Sequence, residues 1–267
     1  NLEREITVTE EMVRVEGSAM GLRTGDQVTM EGLVYGMLLS SGNDAANAAA
    51  LSIAGSADQF AELMNRKAEE LGARDTHFVT PSGLDAEEHY STAYDMALIG
   101  AAAMQNETFA SIASTKSTTV TFGNPPREVW LSNHNRLLKE YDGAIGVKTG
   151  FTKKSGRCLV SCAERDGGRL LVVTLNAPDD WNDHKRLFDY GFEQLTDTEL
   201  PAPLPVQLPV TGGTENSVEI WCSERVHAAL LSGEESLLTT RMEVQPFLYA
   251  PVKEGDRVGE LVYLVGD

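Results

Sequence analysis

Lys148, Thr149 and Gly150 follow Ile145-Gly146-Val147 and precede Phe151, so an ammonium and a hydroxyl stand side by side on a short apolar run that ends in glycine. Such a pair is a compact, donor-rich spot for a carboxylate, and Gly150 removes the side chain that would keep a substrate backbone off the strand. An isolated Lys-Thr-Gly recurs by chance and reads as the end of a surface strand. Its company changes the reading: Ser41-Gly42-Asn43 lies far upstream, in the order and of the type that serine acyl transfer uses.

The segments around these stretches must position them. Thr29 caps a helix whose Leu33, Val34, Met37 and Leu38 recur at helical spacing, and this helix delivers Ser40-Ser41-Gly42-Asn43. Gly42 breaks it, and Asp44 is placed to cap the next helix, Ala45 to Ala54, whose small side chains permit close packing. Ser41 and Asn43 then sit on a tight junction between two buried helices. On the other side, Cys158 to Cys162 and Leu170 to Leu175 form a hairpin around Asp166-Gly167-Gly168. Both arms are nearly continuous apolar runs, as expected of central strands, and the Lys148 strand belongs beside them in an antiparallel sheet packed between helices.

Between these parts, Ser56 opens a helix running to Gly72, and Ser91 or Thr92 opens another through Met96, Leu98 and Ala103. His77 and His89, in the turn-rich stretch between those helices, read as histidines packed in an ordered loop. Thr119 to Phe122 and Glu128 to Leu131 form a small hairpin, and Asp183 to Phe192 a closing helix. Three prolines in Pro201-Ala202-Pro203-Leu204-Pro205 make a stiff linker. The expected division is 1–198 for an α/β (α+β) domain and 199–267 for a small all-β domain with a spacing or docking role.

Composition excludes several functions. With 22 basic against 40 acidic residues and a net charge of −18, the chain suits neither nucleic acid nor an anionic membrane surface. No apolar run is long enough to span a bilayer, and the first residues have no signal-peptide pattern. Three cysteines fit neither a disulfide framework nor a paired zinc site. Cys158 and Cys162, four apart on a strand, lie too far from each other to bridge and read as buried thiols. No metal and no cofactor is expected.

Ser-x-Asn followed by Lys-Thr-Gly resembles the serine D-alanyl-D-alanine carboxypeptidases among the low-molecular-weight penicillin-binding proteins. The resemblance extends to Thr76-His77-Phe78, Gly83-Leu84-Asp85, Asp95-Met96-Ala97, Asn135-Arg136-Leu137-Leu138, Asp142-Gly143-Ala144-Ile145-Gly146 and the appended β domain, nearly the whole chain. It implies the penicillin-binding and serine β-lactamase-like fold: an antiparallel sheet flanked by helices. It also implies removal of the terminal D-Ala from a peptidoglycan stem peptide ending in D-Ala-D-Ala, through a serine acyl-enzyme. In that scheme Ser41 passes a proton to the leaving amine with help from Lys148, and Asn43 holds the substrate backbone and the nucleophile's lysine. Thr149 and Lys148 hold the terminal carboxylate, Gly150 leaves room for the peptide, and the Phe151 N–H is an oxyanion donor. β-Lactam antibiotics are implied as ligands, and the location is extracytoplasmic, in the cell envelope.

The chain departs from this family in one respect: none of its serines has a lysine three positions on, so the Ser-x-x-Lys nucleophile motif is absent. The expectation is an N-terminally incomplete domain whose missing segment completes the fold, and a chain inactive by itself. Two alternatives stand beside it, a class A-like β-lactamase and a non-catalytic peptidoglycan-peptide-binding or regulatory homologue. The first lacks a clear glutamate-bearing loop at Pro81 to His89.

Overall fold

The computed structural model describes every residue except Ser223 and Asp267. The chain opens with β1 (Glu5–Thr7), a helical turn α1 (Glu10–Val13) and β2 (Gln27–Thr29), the strands pairing antiparallel with Ile6 opposite Val28. Helix α2 (Met30–Leu39) starts at Thr29, whose hydroxyl accepts the Gly32 N–H at 3.1 Å. It turns through Ser40 and Ser41 into α3 (Asn43–Ala54). The helices approach closely because Gly36 has no side chain: a Cβ there would lie 3.1 Å from Ala45 Cβ and 2.3 Å from Met20 Sδ. Leu33, Leu39, Ala45 and Ala48 are fully buried at this contact, within one large apolar cluster.

Two details at the junction correct the sequence reading. Gly42, expected only to break α2, is the cap from which α3 begins, and Asp44 lies within the first turn of α3. The Asp44 carboxylate instead accepts the N–H groups of Met20 at 2.9 Å, Gly21 at 3.0 Å and Leu22 at 3.0 Å. A carboxylate offers several acceptor positions, and three amides of the preceding loop converge on this one.

Helix α4 (Ala57–Glu70) starts at Ser56, which accepts the Gln59 N–H, and it stops before Gly72 at φ +80°. The loop from 75 to 90 is braced internally. His77 Nδ1 bonds to Glu88 O at 2.7 Å, and His89 Nδ1 accepts the Val79 and Thr80 N–H groups at 3.0 and 3.3 Å. His89 is thus a half-buried loop residue, as the sequence suggested, whereas His77 is exposed, its ring held by the bond to Glu88 O. Helices α5 (Ala93–Met104) and α6 (Glu107–Ser114) follow, then the hairpin β3 (Ser117–Gly123) and β4 (Pro126–Ser132), and a short α7 (Leu137–Glu140).

The sheet that matters for the site is β5 (Ala144–Thr152), β6 (Gly156–Arg165) and β7 (Gly168–Thr174), in that order. β5 and β6 are antiparallel, with Lys148 opposite Val160 and Phe151 opposite Arg157. β6 is central and buried from Leu159 to Ala163, whereas β7 is half-buried at the edge of the described sheet. Its apolar run suggested a central strand; Leu171 and Val173 are used on one face, against the cluster of Met104, Val147, Val160 and Cys162. Cys158 is half-buried and Cys162 buried, both free, and burial pushes the Cys162 thiol up to about 11. Helix α8 (Asp180–Glu193) is pinned to the sheet through buried His184, which bonds Ser161 through Nδ1 and Thr174 Oγ1 at 2.9 Å through Nε2. Arg157 adds an ion pair to Asp180 at 2.8 Å.

By internal contacts the chain forms two compact units, Asn1–Glu164 with Arg169–Asp189, and Arg165–Gly168 with Tyr190–Asp267. The second is built of strands: β8 (Leu195–Glu199), β9 (Val206–Thr211), β10 (Ser217–Ile220), β11 (His227–Leu231), β12 (Leu238–Val244), β13 (Leu248–Tyr249) and β14 (Gly259–Val265). They pair as β10-β9-β13, β11-β8 and β12-β14.

Candidate active site

Ser41 and Lys148, 107 positions apart, meet through a hydrogen bond from Lys148 Nζ to Ser41 Oγ. Ser41 is held in the left-handed region at φ +52°, a conformation that costs a non-glycine residue on the order of 1 kcal/mol. The surrounding backbone fixes it there: the Gly42 N–H donates to Gly36 O at 3.0 Å and the Asn43 N–H to Ser18 O at 2.8 Å. Lys148 reaches the junction from β5, and its ammonium also donates to Thr149 O at 2.8 Å. Burial lowers the Lys148 pKa to about 8, because the charged form loses water on entering the interior. The lysine therefore exchanges a proton close to neutral pH with a hydroxyl as its immediate partner, the condition for proton transfer during acyl chemistry.

The other residues singled out from sequence are placed differently. Asn43 stands at the same junction, but its Nδ2 donates to Glu16 O at 2.7 Å, which commits that nitrogen to the 14–22 loop. β5 lies at the edge of its sheet, and the two-residue alternation puts Thr149 and Phe151 on the face opposite Lys148 and Gly150. Phe151 is 69% exposed. At Gly150 a Cβ would meet only Cys158, at 3.8 Å, so the fold itself does not demand a glycine there. The open strand edge and the missing side chain leave room for an extended peptide to lie along β5.

His134 belongs to this neighbourhood and sequence reasoning passed over it. Its N–H donates to Leu39 O at 3.2 Å, and its imidazole is held below the usual range by burial and then by the charge of Lys148. A single histidine in a loop has no spacing partner, so no pattern marked it. Among the described residues no group of three or more His, Cys, Asp or Glu side chains is placed to hold a metal ion.

A family model described as D-alanyl-D-alanine carboxypeptidase matches residues 1–179, and one described as penicillin-binding protein 5, C-terminal domain, matches residues 202–267. The chain is 31% identical over 264 residues to the D-alanyl-D-alanine carboxypeptidase DacF of Bacillus subtilis, covering 97% of this chain and 68% of that protein. It is 39% identical over 187 residues to DacB2 of Mycobacterium tuberculosis, covering 67% of this chain and 63% of that one. The chain thus spans roughly two thirds of the length of these relatives. Among solved structures, the D-alanyl-D-alanine carboxypeptidase DacD from Francisella tularensis superposes with a TM-score of 0.70 at 28% identity, over 100% of this chain and 78% of that one.

Proposed function

The chain belongs to the D-alanyl-D-alanine carboxypeptidase family, and on that premise we propose that it forms the proton-relay and peptide-binding walls of a serine acyl-enzyme site that removes the terminal D-Ala from peptidoglycan stem peptides. The observation that carries the proposal is the contact between Ser41 and a lysine whose pKa is lowered to about 8. In this reading the nucleophile is the serine of a Ser-x-x-Lys segment, a motif that residues 1–267 do not contain. The apolar, half-buried β7 at the edge of the sheet is a surface on which such a segment can complete the fold.

The nucleophilic serine oxygen bonds to the carbonyl carbon between the two terminal D-alanines as the lysine of its Ser-x-x-Lys segment takes the hydroxyl proton, and the oxyanion takes a hydrogen bond from the Phe151 N–H. Thr149 O accepts from Lys148 Nζ on the free edge of β5, and strand alternation directs the Phe151 N–H to that same edge. The C–N bond breaks as Ser41 passes a proton, replenished from Lys148, to the leaving amine; water then cleaves the ester and releases the shortened peptide. At the free edge of β5 the terminal carboxylate lies between the Lys148 ammonium, reaching over from one face of the strand, and the Thr149 hydroxyl on the other, Gly150 leaves room for the chain, and Asn43 turns from Glu16 O to the substrate backbone. β-Lactams acylate the same serine, and the substrate places the protein on the extracytoplasmic side of the membrane. Among the described residues no helix is long and apolar enough to cross a bilayer.

The test is D-alanine release from a peptide ending in D-Ala-D-Ala. A protein joining these residues to a Ser-x-x-Lys segment releases D-alanine, and Ser41→Ala lowers its kcat by about 100-fold, the usual scale for losing a proton relay. Residues 1–267 alone release none. Release by the isolated chain, or full activity of the Ser41→Ala protein, contradicts the proposal.

A further inference from the structure

We propose that Asp85, clasping Thr152 and Ser155, is the end wall of the peptide groove and sets which acyl-side arms the enzyme accepts, an inference that rests on the carboxypeptidase reading above. β5 ends at Thr152, one residue beyond Phe151. Thr152 Oγ1 donates to Asp85 Oδ1 at 2.9 Å and Ser155 Oγ to the same oxygen at 3.3 Å. The two hydroxyls are 2.7 Å apart, and the Ser155 N–H donates to Thr152 Oγ1 at 2.9 Å. The carboxylate comes from the 75–90 loop, which is stiffened from within by its histidine bonds and by Thr80 Oγ1 donating to Leu84 O at 2.9 Å. A braced loop is thereby fastened to the end of the substrate strand through side chains that lie at the surface.

Strand direction shows what the clasp meets. With the terminal carboxylate at Lys148 and Thr149 and the scissile carbonyl at the Phe151 N–H, moving toward the N-terminus of the substrate is moving toward the C-terminal end of β5. The peptide therefore runs antiparallel to β5. At about 3.4 Å per residue, the residue before the penultimate D-Ala reaches Thr152 and the clasp. A peptide that ends at the penultimate residue does not reach it. Asp85 is therefore a positioning residue whose influence depends on the length of the acyl arm, and a purely structural clasp has no such dependence.

The experiment compares acetyl-D-Ala-D-Ala with acetyl-L-Ala-D-Ala-D-Ala as substrates of the full protein that includes the Ser-x-x-Lys segment, measuring kcat and KM by D-alanine release. Asp85→Ala lowers kcat/KM for the longer peptide by about tenfold, a modest misplacement effect, and leaves the shorter within about twofold. Asp85→Asn retains most of the wild-type preference, because its amide oxygen still accepts from both hydroxyls. Thr152→Val reproduces the alanine result and carries the comparison if Asp85→Ala does not fold. Equal losses on both peptides, or no loss on the longer one, overturn the proposal while leaving the carboxypeptidase reading intact. Failure of the wild-type protein to cleave either peptide overturns that reading and this inference with it.

Discussion

Lys148 holds two roles that arginine and alanine separate. Its pKa of about 8 makes it a proton source near neutral pH, and its charge draws the terminal carboxylate. Arginine keeps the charge but does not give up a proton in this range, so Lys148→Arg in the complete protein retains KM within a few-fold and loses about 100-fold in kcat, whereas Lys148→Ala loses both. Steady-state kinetics on a D-Ala-D-Ala peptide decides it, and an unchanged kcat for the arginine variant removes the relay role. The charge argument also has a pH sign: Lys148 is protonated below about 8, so KM for a free terminal carboxylate rises above that pH while KM for a C-terminal amide stays flat. Of this site, Ser41 and Lys148 were readable in sequence because two short motifs fix residue types. The direction of Asn43 toward Glu16 and the presence of His134 were not, since both depend on which loops fold back onto the junction.

Among the elements, the α2–α3 junction and the start of β5 carry the most specific demands. Asp44 holds three amides of the loop between α1 and β2, and removing the acceptor leaves the buried N–H groups of Met20 and Leu22 unpaired at about 1–3 kcal/mol each. Asp44→Ala therefore destabilises by about 3 kcal/mol or more in urea unfolding, and a loss below about 1 kcal/mol counts against that account. Gly143 has φ +83°, and a Cβ there would sit 2.2 Å from Glu164 O, between β5 and β6. Gly143→Ala destabilises by about 2 kcal/mol and shifts the amide signals of Val147 to Phe151; unshifted signals show that the bend is dispensable. Helices with clear caps, such as those at Thr29, Ser56 and Thr92, were readable because side-chain oxygens at fixed offsets mark them. β7 was read as central from its apolar run and lies at the edge of the described sheet, because such a run does not tell a central strand from one that packs on one face.

For the molecule as a whole, acid stability is set in part by His184, buried between α8 and the sheet, with its pKa lowered to about 4 by desolvation. The unfolded chain takes up this proton near the ordinary pKa of 6.5, so the stabilisation is full above about 6.5 and is lost as pH falls toward 4. Its size is on the order of 3 kcal/mol. His184→Gln is less stable at pH 7, yet its urea midpoint falls less than that of the wild type between pH 6.5 and 4; parallel declines contradict the assignment. At this scale the ordered motifs implied the family that the family models match. The chain also contains a serine bonded to a lysine of its own, so the position of the reacting serine separates the proposed mechanism from its direct rival. Peptide mapping by mass spectrometry after treatment with benzylpenicillin locates that serine, applied to residues 1–267 alone and joined to a Ser-x-x-Lys segment. The penicilloyl adduct is expected on the serine of that segment and nowhere within residues 1–267; an adduct on Ser41 would make Ser41 and Lys148 the nucleophile and base and contradict the mechanism proposed here.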